Sequence, residues 1–213
     1  VAASEILLLL LSVVVTVAAA LLVWAALRGK RGPDPVGGAL SRGDFGLALA
    51  LGEAPGGGRR EWLAAALAAR HLLLFDRAAA LTDRILAADA NDAEARIERA
   101  LGLLWQRRYA DAERELERAL LLRPDLAEPI GLHRAFLAER QGDLPSARRR
   151  FEEIAAALEN KLRADLGPGD ALFADWFLEA SLLWAAQGDE ERAAWAGAAF
   201  ARGAPQSRLR AIA

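Results

Sequence analysis

The chain has 213 residues, enough for one ordinary domain or for a small domain with appendages. Its 27 basic and 29 acidic residues leave a formal charge of -2, so no global field would draw it to nucleic acid. There is no cysteine, which excludes a disulfide scaffold, thiolate metal sites, iron–sulfur ligation and a cysteine nucleophile.

Hydrophobic residues make up 54% of the chain, and the excess lies near the N-terminus. Residues 6–27 run without a charge and are interrupted only by Ser12 and Thr16. As a helix rising about 1.5 Å per residue this run would reach about 33 Å, enough for a hydrocarbon core of roughly 30 Å. A cleaved signal would need a basic leader, whereas residues 1–5 carry only Glu5. Trp24 lies near the far end of the run, and Arg28, Lys30 and Arg31 follow it. These four are expected at the membrane interface, with 1–28 as a single-pass anchor in a bilayer, taken to be a bacterial inner membrane. The flanking basic charge places the rest of the chain in the cytoplasm, with a periplasmic orientation as the alternative.

Residues 29–58 read as a juxtamembrane tether. Gly29, Gly32, Pro33, Pro35, Gly37 and Gly38 oppose a continuing helix, a short helix is expected over 43–51, and Pro55 with Gly56, Gly57 and Gly58 breaks the chain again. That glycine cluster precedes Arg59 and Arg60 but lacks the lysine and hydroxyl residue of a phosphate-binding loop, so it reads as a junction.

From Arg59 onward, leucine and alanine recur at helical spacing over 59–74, 78–88, 93–106, 110–122, 128–140 and 145–158. Helices of this length joined by short breaks must lie antiparallel. Asp76 precedes the helix expected over 78–88 and Asp111 lies in the first turn of another, where a carboxylate meets unpaired N–H groups and the positive end of the helix dipole. Gly142-Asp143 and Gly188-Asp189 follow apolar runs, where glycine can take a left-handed backbone and close a helix; Gly43-Asp44 offers the same turn.

Segment 93–126 is the clearest unit. Ala100, Ala112 and Ala119, with Tyr109 and Pro124, stand at the spacing of a tetratricopeptide repeat of roughly 34 residues, which the segment resembles. Similar units start at Arg59, with Phe75, Ala78 and Ile85, at Glu128, with Ala135, Gly142, Ala147 and Phe151, and at Ala174, with Gly188, Ala193, Phe200 and Pro205. The resemblance implies a tetratricopeptide-like α-solenoid of antiparallel helical hairpins over 59–205; with the N-terminal single transmembrane helix read from the apolar run, the chain is expected to be all-α, ending in a tail over 206–213.

In that family the first helices line a concave face. Here the resemblance implies a partner-binding surface of Arg60, Leu63, Leu67, Arg70 and His71, then Glu94, Ile97, Leu101, Leu104 and Trp105, then Pro129, Leu132, Phe136, Glu139 and Arg140. Such a mixed aromatic and aliphatic groove suits a peptide, a helix or a partner subunit. Trp105 reads either as an anchor in that groove or as packing against a neighbouring unit. His71 and His133 lie in separate helices without a metal-binding pattern, and no serine stands in a nucleophile elbow. No catalytic residue, cofactor or metal site is therefore expected. The expected function is a membrane-tethered interaction scaffold or assembly factor for other proteins, or alternatively an accessory subunit of a membrane complex. An enzyme would require polar residues to converge from distant units.

Overall fold

The computed structural model describes residues 34–164, 174–204 and 206–209, and the described residues contain helices and no strand. In chain order these are α1 (Pro35–Ser41), α2 (Phe45–Gly52), α3 (Arg59–His71), α4 (Phe75–Ala88), α5 (Ala93–Trp105) and α6 (Tyr109–Leu122). A 3-10 turn at Pro124–Leu126 leads into α7 (Ala127–Arg140), followed by α8 (Leu144–Ala164), α9 (Ala174–Ala186) and α10 (Glu190–Gly203).

Local chemistry accounts for many of the helix ends. The side chains of Asp44, Asp92 and Asp189 accept hydrogen bonds from the amides of Leu47, Ala95 and Arg192, satisfying N–H groups that the helix leaves open. Five turns share one geometry, with a left-handed residue at Gly43, Leu73, Arg107, Gly142 or Gly188. At each, that residue's N–H donates to the carbonyl three residues back and the next N–H donates to the carbonyl five residues back, as in Leu73 to Arg70 and Leu74 to Ala69. This pattern caps the last carbonyls of the preceding helix. Three of the five positions are glycine; Leu73 and Arg107 adopt the same backbone at φ 62° and 61°.

The helices pair as α3 with α4, α5 with α6, α7 with α8 and α9 with α10. Within this arrangement α3 touches α5, α5 touches α7 and α7 touches α9, so these four make an inner row. Helices α1 and α2 lie in the stretch read as a tether, yet they bury Val36, Leu40, Phe45 and Leu49 in the core. Gly52 is where α2 crosses α3: a Cβ there would stand 2.5 Å from the Glu61 carbonyl oxygen, so a larger residue would force the helices apart.

Two apolar clusters fill the interior. One is local: Ala100, Leu103, Ala112, Leu116 and Ala119 of α5 and α6 meet Ile130 and Phe136 of α7, the small side chains allowing close approach. The other joins distant parts of the chain, bringing Leu40 and Phe45 together with Phe151, Phe177, Trp184, Phe200 and Leu209.

Two expectations are corrected here. First, in an open stack each unit contacts only its neighbours. In this chain the ends of the inner row meet: Arg70 of α3 pairs with Asp175 of α9, 105 residues away, and His71 bonds Ser207, 136 residues away. The expected open α-solenoid is therefore replaced by a closed row. Second, among the described residues no helix is long and apolar enough to cross a membrane. The 21-residue α8 is long enough but carries Arg148, Arg149, Arg150, Glu152 and Glu153, and the apolar α9 has 13 residues where a span needs about 20. The run 6–27, with Trp24, Arg28, Lys30 and Arg31, lies outside the described residues. No described feature supports a single-pass anchor, a bilayer partner or a membrane location, and those expectations are withdrawn.

Candidate functional site at the closure of the helix row

The residues expected to line an open groove divide by depth. Arg70, His71, Leu101, Leu104, Pro129, Leu132 and Phe136 are buried; Leu63, Leu67, Ile97, Trp105, Glu139 and Arg140 are half-buried; Arg60 and Glu94 are exposed. The chain's own α9 packs on α7, and its Phe177, Leu178, Leu183 and Trp184 are buried. Trp105 packs 5.7 Å from the ring of Phe136, and the Arg140 guanidinium lies over it at 5.4 Å. Glu94 accepts a hydrogen bond of 2.6 Å from Arg59, at the outer end of α3.

At the closure six ionisable side chains converge from four helices. Arg70 is 1% exposed; its Nε donates to Glu98 of α5 at 2.6 Å, and its Nη2 donates both to Glu98 at 3.1 Å and to Asp175 of α9. His71 lies with its Nε2 2.9 Å from Asp175 Oδ1 and its Nδ1 3.0 Å from Ser207 Oγ. Its ring is stacked on Phe45 of α2 at 4.4 Å and faces Phe200 of α10 at 6.4 Å, so four separate parts of the chain meet on this imidazole. One turn further along α9, Glu179 pairs with His133 Nδ1 of α7 at 2.5 Å, each side chain 2% exposed.

The electrostatics are uneven because one guanidinium serves two carboxylates. Burial opposes ionisation of Asp175, but Arg70 and His71 outweigh it and hold this carboxyl well below the usual range. Burial pushes Glu98 up, and Arg70 offsets that only in part. Glu179 is also pushed up by burial, with His133 opposing and Asp175 adding to the rise. Burial works against the charge on Arg70 as well, yet Asp175 and Glu98 together raise its pKa.

Sequence reasoning named Arg70, His71 and His133 but missed Glu98, Asp175, Glu179 and Ser207. A signal was present for two of them. Asp175 and Glu179 stand four residues apart on a helix otherwise almost wholly apolar, which puts both carboxylates on one buried face. Ser207 carries no comparable signal. Among the described residues no group of three or more acidic or histidine side chains could hold a metal ion. Glu98 also lines one wall of a groove of about 350 Å³ between α4 and the α5–α6 pair, floored by Ala78, Gly102 and Leu103.

No family model matches the chain. A search of curated proteins likewise finds no match. The resemblance of 93–126 to a tetratricopeptide repeat rests on a few alanines, one tyrosine and one proline, and no family model supports it. It is withdrawn together with the concave-groove binding it implied, and the membrane-tethered scaffold built on both readings is withdrawn with it.

Proposed function

We propose that residues 35–209 form a non-catalytic helical module that contacts other proteins through the turn between α3 and α4. The carrying observation is Leu73, a 39% exposed leucine in the left-handed backbone region. Three of the four equivalent turns use glycine there, and a side chain at such a φ costs about 1–2 kcal/mol. The residue after it is Leu74, 38% exposed, where the turns with glycine carry aspartate. Leu47 of α2 is 40% exposed, and Phe45, two residues before it, stacks on His71 at the same end of α3. Contact with an apolar surface on a partner would repay both the backbone strain and the exposure of these leucines.

The test compares photo-cross-linkers at Leu74 and at Asp143, its equivalent in the α7–α8 turn, in cells making the full chain. The module reading expects one discrete protein adduct from position 74 and none from 143. The further change Leu73→Gly should cut that adduct about tenfold, as loss of an interface contact worth about 1.4 kcal/mol would. Equal labelling from both positions, or no adduct, contradicts it.

A second reading, chemistry at the closure, is favoured by Glu98, which touches Arg70 and also borders the groove. Against it, Arg70 donates to both Glu98 and Asp175, and His133 meets Glu179, within the chain. Labelling of native protein with a water-soluble carbodiimide separates the two: modification of Glu98 would favour chemistry, and its protection favours a closed structural cluster.

A further inference from the structure

Six titratable groups face one another inside the closed row: Arg70 and His71 from α3, Glu98 from α5, His133 from α7, and Asp175 and Glu179 from α9, each at most 7% exposed. The neighbouring α2 and α10 present Phe45 and Phe200 to His71, and the C-terminal segment presents the Ser207 hydroxyl. Among the described residues, three carboxyl groups thus share this interior with one arginine, which stays charged at all relevant pH values. Ionising all three against that one guanidinium would leave an excess of buried negative charge, which is very costly.

We propose that the closed helix row stores two protons, on Glu98 and Glu179, and that losing them at alkaline pH loosens α9 from α3 and α7. Glu98 is second in line for Arg70 behind Asp175, and Glu179 lies against His133 one turn along α9 from the ionised Asp175.

A carboxyl whose folded pKa is raised by burial, as for Glu98 and Glu179, binds its proton more tightly folded than unfolded. Stability from such a group is complete below the unfolded pKa, about 4.3 for glutamate, and is lost as pH rises through the folded value. Asp175 acts oppositely: its contribution is complete above about pH 3.9 and is lost as pH falls below that. Maximum stability therefore lies on the mildly acid side, and the alkaline limb belongs to the stored protons.

The experiment is proton release on unfolding. The full chain is unfolded with guanidinium chloride at pH 8 in weak buffer containing an indicator dye. Surface carboxylates, lysines and arginines have the same protonation folded and unfolded at that pH, so they contribute nothing. About two protons released per chain is expected, equivalent to an approximately hundredfold change in the unfolding constant per pH unit. The double variant Glu98→Gln, Glu179→Gln should release close to none. Hydrogen exchange at pH 9, corrected for intrinsic rates, should open α9 and α10 before α5 and α6. Wild-type release near zero, or proton uptake, overturns the proposal whether or not the double variant folds; so does a folded double variant that still releases two.

Discussion

The α5–α6 pair and the α3–α9 closure are two ways of holding helices together within one domain. In the first, Ala112, Leu116 and Ala119 are wholly buried, and the helices meet through small apolar side chains a short distance apart in sequence. In the second, Arg70, Asp175, Glu98, His133 and Glu179 are buried as charges and polar groups, drawn from segments up to 105 residues apart. Apolar packing gains from every contact and tolerates small shifts. A buried ion cluster gains little net energy, because desolvation offsets attraction, but it penalises every arrangement that leaves a member unpaired. The closure thus specifies where α9 sits more than it adds to stability.

That contrast can be broken. Arg70→Met should have the largest effect, about 3–5 kcal/mol in urea unfolding, because it leaves Asp175 and Glu98 buried without a cation. Hydrogen exchange should show the loss concentrated in α9 and α10. Ala112→Leu should cost about 1–3 kcal/mol by overpacking, with the loosening confined to α5, α6 and α7. If both variants loosen the same helices, the two regions are not energetically distinct. Smallest and opposite in sign, Leu73→Gly should stabilise the fold by about 1 kcal/mol, since the left-handed backbone no longer carries a side chain. A destabilised Leu73→Gly would mean that the leucine is held by its own fold and is not strained for contact.

The same contrast explains what could be read from the sequence. Helix ends written in neighbouring residues were legible: the left-handed glycines at 43, 142 and 188, and the acidic first turn at Asp111, whereas Asp76, expected just before a helix, lies inside the first turn of α4. Helix limits over 93–140 fall within one or two residues of the observed α5, α6 and α7, because alanine and leucine spacing is a local property. The closure was not legible. Arg70 and His71 read as groove residues because nothing within one repeat length announces Asp175 or Ser207. The α9 helix read as the start of another unit, although its two carboxylates one turn apart mark a helix that has to find buried cations. Leu73 was hidden for a different reason: a left-handed turn is anticipated at glycine, and the hydrogen bonds around Leu73 reproduce that turn without it.

The contact of Arg70 with Asp175 joins α3 to α9 and closes the row. A double-mutant cycle of Arg70→Met and Asp175→Asn, measured by urea unfolding of the full chain at pH 6, tests that contact directly. The expected result is a coupling energy of about 1–3 kcal/mol, the double variant being less impaired than the two single losses added together. Strict additivity would contradict a closed helix row.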